Sequence, residues 1–152
     1  MIDPFFVSAL ILAAGKGTRM KSDKAKVLHE VFFAPMIHHV LDAVLALQPA
    51  RTVVVTGHQY ERVEKSLAAS DVHFVRQEQQ LGTGHAVLVA EDVLKKSGGI
   101  VLILCGDTPL IQADTLKQFL ASHREKNAQL TVMTTELENP TNYGRIVSSE
   151  QG

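Results

Sequence analysis

Short aliphatic runs alternate along this chain with segments of helical periodicity, and this alternation constrains the fold more than any other feature. The run at residues 100–104 is polar on neither face, which is typical of a strand in a parallel sheet that is covered on both sides. The connections between the runs are long enough for right-handed crossovers. The sequence therefore predicts an α/β fold of Rossmann type, with a doubly wound and mostly parallel sheet.

The individual elements are predicted from hydrophobic periodicity and from the residues that interrupt it. Strands are expected at residues 5–12, 51–56, 72–75, 100–104 and 130–135. A helix is expected to start at Pro35, with one apolar face formed by Ile37, Val40, Leu41, Val44 and Leu45. Further helices are expected at residues 60–69, 84–94 and 113–124. No repeat or proline-rich linker interrupts this order, so we expect one domain.

Three segments with chemically useful residues each follow an expected strand. Gly15 follows the first strand, Gln77 the third and Asp107 the fourth. Ligands of doubly wound sheets bind beyond the carboxyl ends of the parallel strands, and these ends share one edge of the sheet. The three segments are therefore predicted to form one site.

The segment after the first strand is a glycine-rich turn with several cations. Residues 12–20 have the sequence LAAGKGTRM, and Lys26 follows six residues later. Glycine lets backbone N–H groups approach a polyanion, and Arg19 and Lys26 would bring positive charge to phosphates. The spacing fits neither a Walker A loop nor the dinucleotide-binding fingerprint. A solvated basic turn is the alternative, but the sequence favours a nucleoside triphosphate site.

Asp107, preceded by Gly106, follows the aliphatic run at residues 100–104. One or two carboxylates together with substrate phosphates are the usual ligands of Mg²⁺. Asp107 is therefore predicted to hold Mg²⁺, with a cap of the following turn as the alternative. The histidines have no zinc-binding spacing, and the single cysteine, Cys105, cannot build a thiolate cage.

Gln77 is followed by a polar segment that contains Gly82 and Thr83. A primary amide has a donor and an acceptor, which matches the N3–H and the adjacent carbonyl of uracil. Gly82 would let the backbone approach a planar base, and Thr83 would add a hydroxyl contact. Taken alone, this segment is more typical of an ordinary polar loop that starts a helix.

The charge balance argues against a general polyanion-binding surface. The chain has 15 basic and 16 acidic residues, and its formal net charge is −1. We therefore expect no nucleic-acid or membrane partner. The apolar stretch at residues 5–14 is too short to span a bilayer and lacks the positive flank of a signal peptide. The single cysteine suits a reducing cytoplasm.

Five segments, in this order, resemble the uridylyltransferase domain of the bacterial bifunctional N-acetylglucosamine-1-phosphate uridylyltransferase and glucosamine-1-phosphate acetyltransferase family. They are residues 12–20, 26–29, 80–86, 106–110 and 140–146. Each segment has modest specificity, but the ordered set extends along nearly the whole chain.

The resemblance implies the nucleotide-diphospho-sugar transferase fold and the transfer of UMP from UTP to N-acetylglucosamine 1-phosphate. Pyrophosphate would be released, Mg²⁺ would be the cofactor, and the sugar nucleotide would serve the synthesis of peptidoglycan and lipopolysaccharide. Two alternatives stay open. One is the same chemistry with another base or sugar phosphate, and the other is a nucleotide-binding module without turnover.

The resemblance also implies a role for each matching residue. Arg19 and Lys26 would be the catalytic residues that contact the phosphates, and Asp107 would bind Mg²⁺. The substrate-binding residues would be Leu12, Ala13, Ala14, Gly15, Lys26, Gln77, Gly82, Thr83, Cys105, Gly106, Asp107 and Gly144. Gly144 would touch the sugar.

The chain departs from the family pattern at Ala25 and Cys105, where the family usually has proline and commonly has tyrosine. The loop that presents Lys26 is therefore expected to be less rigid, and Cys105 to be a buried small hydrophobe without a catalytic role.

The family pattern extends past residue 152. The resemblance implies that residues 1–152 are the N-terminal part of a single nucleotidyltransferase domain. It places a second metal ligand, further sugar-binding residues and a trimerising acetyltransferase domain in the remainder. Residues 1–152 alone are expected to bind UTP weakly and to transfer no uridylyl group.

Overall fold

The computed structural model describes residues 7–17, 20–96, 99–141 and 143–147, and its main feature is a parallel sheet of four strands in the order β5-β4-β1-β6. These strands are β1 (Val7–Ala13), β4 (Arg51–Thr56), β5 (His73–Arg76) and β6 (Ile100–Cys105). A separate antiparallel pair joins β2 (Glu30–Val31) to β3 (Ala34–Pro35). The predicted α/β fold with a parallel sheet is confirmed.

Four helices lie in the connections between the parallel strands: α1 (Met36–Leu45), α2 (Tyr60–Ser66), α3 (Thr83–Leu88) and α4 (Glu91–Lys95). A fifth helix, α5 (Ala113–Glu125), follows β6. A short 3-10 turn at Lys26–Leu28 lies between β1 and β2. Among the described residues, no helix has the length and apolarity needed to cross a bilayer.

The register brings the carboxyl ends of the strands to one edge. Leu12 of β1 pairs with Cys105 of β6, and Ala13 pairs with Thr56 of β4. Thr56 pairs in turn with Arg76 of β5. The loops that follow these strands therefore start next to one another, as the sequence predicts.

The two faces of β1 bury side chains in two separate cores. Ile11 packs with residues of α1 and α5, including Val40 and Leu116. Leu10, on the opposite face, packs with Val53 of β4 and with the apolar side of α3 and α4. Burying one such side chain contributes about 1.5–3 kcal/mol, so β1 anchors the loop that follows it.

Several predicted elements differ in their bounds. The strand at 72–75 is shifted to His73–Arg76, and the helix at 60–69 ends at Ser66. The single helix expected at 84–94 is two helices, α3 and α4. The buried side chains of Ala86, Ala90 and Leu94 belong to one core cluster. Since positions four residues apart drift by about 40° on a straight helix, the break keeps all three against the sheet.

Three expectations about apolar residues were wrong. The run at 100–104 is covered on one face only, because Val101 and Ile103 are 38% and 47% exposed. Residues 130–135 form no strand, and Leu130 is exposed. Leu45, expected on the buried face of α1, is also exposed. No strand among the described residues pairs with the outer edge of β6, so residues 130–135 do not extend the sheet there.

Candidate functional site

A cavity of about 310 Å³ lies at the carboxyl edge of the sheet. It is formed by the loops after β1, β5 and β6 and by the start of α3. The predicted site residues that line it are Leu12, Ala13, Ala14, Gly15, Lys26, Gln77, Gly82, Thr83, Cys105 and Asp107. Residues from four separate segments therefore meet in one place.

Two further predicted site residues, Gly106 and Gly144, do not line this cavity. Gly106 is buried behind its wall, and its N–H donates a 2.9 Å hydrogen bond to the carbonyl oxygen of Leu12. Gly144 is exposed, and no heavy atom of the described residues lies within 4 Å of where its Cβ would be. Arg19 lies outside the described residues, so its phosphate role stays a prediction.

The glycine-rich turn requires Gly17 both for its backbone conformation and for its lack of a side chain. Its φ is +63°, a left-handed conformation that L side chains rarely adopt. A Cβ at this position would lie 2.7 Å from Cβ of Lys26. Gly17 therefore allows the turn after β1 to pack directly against the segment that carries Lys26, a requirement that the spacing argument missed.

Lys26 and Asp107 form an ion pair on the cavity wall. Lys26 begins the 3-10 turn, whose next residues, Val27 and Leu28, are buried and anchor it. The side chains of Lys26 and Asp107 are 38% and 28% exposed, so a ligand in the cavity can reach both. The pair places a cation and a carboxylate side by side on the cavity wall.

Gln59 holds the loop that presents Lys26. Its Oε1 accepts a 3.0 Å hydrogen bond from the N–H of Ala25, and its Nε2 donates to the carbonyl oxygen of Asp23. Ala25 is fully buried. A proline at this position has no N–H and could not donate the first of these bonds. The loop that was expected to be less rigid is therefore held by the side chain of Gln59, which we call the Gln59 clamp.

Gln77 is 3% exposed, yet it contributes to the cavity wall. Its backbone N–H extends the β4–β5 ladder with a 2.7 Å bond to the carbonyl oxygen of Thr56. Its amide nitrogen contacts the carbonyl oxygen of Gly82 at 3.1 Å and Nδ1 of His85 at 2.9 Å. The amide is therefore held by the loop and by the helix that follow it.

Cys105 is exposed at the cavity wall, so the expectation that it is buried was wrong. The Leu12–Cys105 pairing leaves its side chain on the open face of β6. Partial burial raises the pKa of the Cys105 thiol, the Asp107 carboxylate raises it further, and Lys26 opposes this. The thiol stays protonated at neutral pH, which makes it a poor nucleophile.

The donor set fits a Mg²⁺ ion that is bound together with phosphates. Asp107 supplies one partly exposed carboxylate beside Lys26. Within the described ranges, no group of three or more His, Cys, Asp or Glu residues could hold a metal ion alone. Mg²⁺ usually takes one or two carboxylates and completes its shell with water and substrate oxygens, so a single carboxylate is compatible.

Sequence reasoning missed several contributors. His85 contacts the side chain of Gln77, Gln59 contacts the backbone of the loop before Lys26, and Val27 and Gln80 belong to the cavity wall. The signal for His85 was available, because it lies in the first turn of the helix that follows Gly82. Gln59 carried no local signal, since its contacts are made to a loop 34 residues earlier in the chain.

The chain was compared with known families and proteins. The family model for the MobA-like NTP transferase domain matches residues 9–148. The bifunctional protein GlmU of Desulfotalea psychrophila is 50% identical over 146 residues, which cover 96% of this chain and 43% of that protein. GlmU of Streptococcus gordonii is 51% identical over 144 residues, which cover 95% of this chain and 31% of that protein. The chain thus spans less than half the length of these relatives.

Solved structures of nucleotidyltransferases have a similar fold. A nucleotidyl transferase from Methanothermobacter thermautotroptrophicus is similar with a TM-score of 0.67 and 29% identity, covering 76% of this chain and 57% of that chain. A CMP:2-keto-3-deoxy-manno-octonic acid synthetase complexed with CTP has a TM-score of 0.62 and 26% identity, covering 80% of this chain and 48% of its own. These likenesses confirm the predicted fold type, and the resemblance to the first part of GlmU is confirmed as well. The chain belongs to the family of MobA-like NTP transferase domains.

Proposed function

We propose that this chain is the nucleotide-binding part of an enzyme that transfers UMP from UTP to N-acetylglucosamine 1-phosphate and releases pyrophosphate. One observation carries the proposal: Lys26, Gln77 and Asp107, far apart in the sequence, line one cavity at the carboxyl edge of a parallel sheet. The particular substrates are those implied by the resemblance of the five ordered segments to the uridylyltransferase family. The loop before Lys26 and the strand before Asp107 hold two opposite charges where a triphosphate and its cation would lie.

The reaction is an in-line displacement at phosphorus. A phosphate oxygen of the sugar phosphate attacks the α-phosphorus of UTP, and the bond from that phosphorus to the bridging oxygen of pyrophosphate breaks. Lys26 neutralises negative charge on the phosphates, with Arg19 proposed to act beside it. Asp107 would hold Mg²⁺, which supplies charge neutralisation on the same phosphates. No residue forms a covalent intermediate, because positioning and charge neutralisation provide most of the acceleration.

The proposal extends to the whole protein of which this chain would be a part. The sugar nucleotide would be made in the cytoplasm as a precursor of the cell envelope. The remainder of the protein would complete the sugar site, to which Gly144 would belong, and would form a homotrimer through an acetyltransferase domain. Neither nucleic acid nor a membrane would be a partner.

Nucleotide binding tests the proposal directly on this chain. Isothermal titration with UTP, CTP and ATP in the presence of Mg²⁺ should give measurable binding that is tightest for UTP. Pyrophosphate release should stay undetectable after N-acetylglucosamine 1-phosphate is added, because Gly144, the residue proposed to touch the sugar, does not line the nucleotide cavity. Transfer by this chain would contradict the binding-only expectation, and absence of any nucleotide binding would overturn the proposal.

Two neighbouring lysines provide a matched pair of variants. Lys26→Ala should weaken UTP binding by about tenfold or more, since it removes a cation from the cavity wall. Lys24→Ala removes the same charge from a side chain that pairs with Glu30 at 3.8 Å and does not line the cavity. It should change UTP binding less than twofold. Equal losses in both variants would mean that only the net charge of the loop matters.

A further inference from the structure

The hydrogen bonds of the Gln77 side chain define which way its amide points. Its Nε2 lies 3.1 Å from the carbonyl oxygen of Gly82, and a carbonyl oxygen can only accept. The nitrogen of the amide must therefore face Gly82. The same Nε2 lies 2.9 Å from Nδ1 of His85, so Nδ1 accepts the second hydrogen and the ring carries its own hydrogen on Nε2.

This arrangement leaves the amide oxygen for the cavity. Both hydrogens of Nε2 are engaged, and Oε1 of Gln77 makes no hydrogen bond to any residue in the described part of the chain. Gln77 lines the cavity although it is 3% exposed. The cavity is thus offered a hydrogen-bond acceptor at this point. A base with a ring N–H, such as uracil, complements an acceptor, whereas N3 of cytosine is itself an acceptor and opposes one.

His85 adds to the cost of turning the amide over. With Gly82 alone, a flipped amide would lose one hydrogen bond and face one carbonyl oxygen. With His85 in the tautomer that accepts at Nδ1, the flipped amide would also lose its second bond, and it would regain a partner there only if the ring moved its hydrogen from Nε2 to Nδ1. The ring of His85 is not part of the cavity wall, so it acts on a ligand only through Gln77. It is tied to α3, where it is the third residue, and thereby connects the helix to the end of β5.

We propose that His85 is a positioning residue for base selection: it holds the Gln77 amide with its oxygen toward the nucleotide and so favours bases with a ring N–H over cytosine. The inference rests on the proposed function, because it concerns the base of the nucleotide bound in this cavity. It adds a residue that contacts neither the base nor the phosphates.

The test compares UTP and CTP binding in three variants of this chain by isothermal titration. His85→Phe keeps a ring of similar size but removes the acceptor, and should reduce the UTP/CTP affinity ratio about tenfold. His85→Asn offers Oδ1 where Nδ1 stood and should retain most of the ratio. His73→Phe, at the exposed first position of β5, is the matched control and should leave the ratio unchanged.

Each outcome supports or overturns the inference. If wild type prefers UTP and His85→Phe keeps that ratio, His85 has no role in base selection, while the proposed function stands. A uniform loss of both affinities means that His85 only stabilises the loop, which also overturns the inference. If wild type binds neither nucleotide, the proposed function itself fails. Circular dichroism checks folding, and His85→Ala carries the same prediction should the phenylalanine variant not fold.

Discussion

Strands β1 and β6 have nearly the same aliphatic composition and very different surroundings. β1 reads VSALILA and has only one residue that is not fully buried. β6 reads IVLILC, but Val101 and Ile103 are exposed. β1 pairs with β4 on one side and β6 on the other, whereas β6 lies at the edge of the sheet described here. An aliphatic run therefore predicts a strand but not how many layers cover it.

At their carboxyl ends, β1 and β6 both lead into loops that line one cavity. Gly106, after β6, donates a hydrogen bond to Leu12 of β1, and the loops beyond both strands line the same cavity. The exposed face of β6 borders a second cavity of about 450 Å³, lined mainly by apolar side chains such as Val87 and Leu94. Loops from both strands therefore meet at the carboxyl edge, while one face of β6 is exposed.

The largest difference in stability between the two strands is expected at a pair of isoleucines. Ile11 of β1 is fully buried, and Ile103 of β6 is 47% exposed. Ile11→Ala should lower the free energy of unfolding by about 2–5 kcal/mol, because it opens a cavity in the core. Ile103→Ala should cost less than about 1 kcal/mol. Urea denaturation of both variants measures this, and equal losses would mean that the open face of β6 is covered in solution.

Gly106 tests the joint between the two strands. A Cβ there would lie 3.1 Å from the carbonyl oxygen of Leu12 and 3.3 Å from Cγ1 of Val27. Gly106→Ala should therefore destabilise the fold by about 1–3 kcal/mol. In Gly144→Ala the new Cβ meets no atom of the described residues within 4 Å, and the variant should stay within about 0.5 kcal/mol of wild type. Thermal unfolding compares the two variants. An unchanged stability of Gly106→Ala would show that the atoms around Gly106 move aside at little cost.

Asp107 at the end of β6 sharpens the functional side of the comparison. Asp107→Asn should remove the gain in UTP affinity that Mg²⁺ provides, a loss of about tenfold or 1.4 kcal/mol. Without Mg²⁺ the variant should bind UTP no more weakly than wild type, because Lys26 is released from its ion pair. Asp114→Asn, on α5, is the control and should keep the Mg²⁺ effect. A preserved Mg²⁺ effect in Asp107→Asn would make Asp107 only a turn residue.

The smallest effect is expected at the Gln59 clamp beside the end of β1. Gln59→Ala removes the hydrogen bonds to Ala25 and Asp23, and should weaken UTP binding about two- to tenfold through a looser Lys26 segment. Gln118→Ala on α5, which is an exposed position, should leave binding unchanged. Titration with UTP decides between them. An unchanged affinity in Gln59→Ala would mean that the buried Val27 and Leu28 hold the segment without the clamp.

The sequence by itself determined the parallel α/β order and the edge at which the site lies. Turn residues and hydrophobic periods are local, and the rule for parallel strands converts their order into a common edge. Gly15, Gln77 and Asp107 were found in this way, before any contact between them was known. The bounds of β4 also follow directly from its β-branched run.

Only the tertiary structure decided which faces are covered and which side chains meet. The exposure of Ile103 depends on a neighbouring layer, the Lys26–Asp107 pair joins two distant loops, and His85 reaches Gln77 across a turn. No local sequence pattern predicts these features, because each depends on how segments that are separate in the chain are arranged in space. Local patterns specify elements, whereas burial and side-chain pairing arise only when those elements pack together.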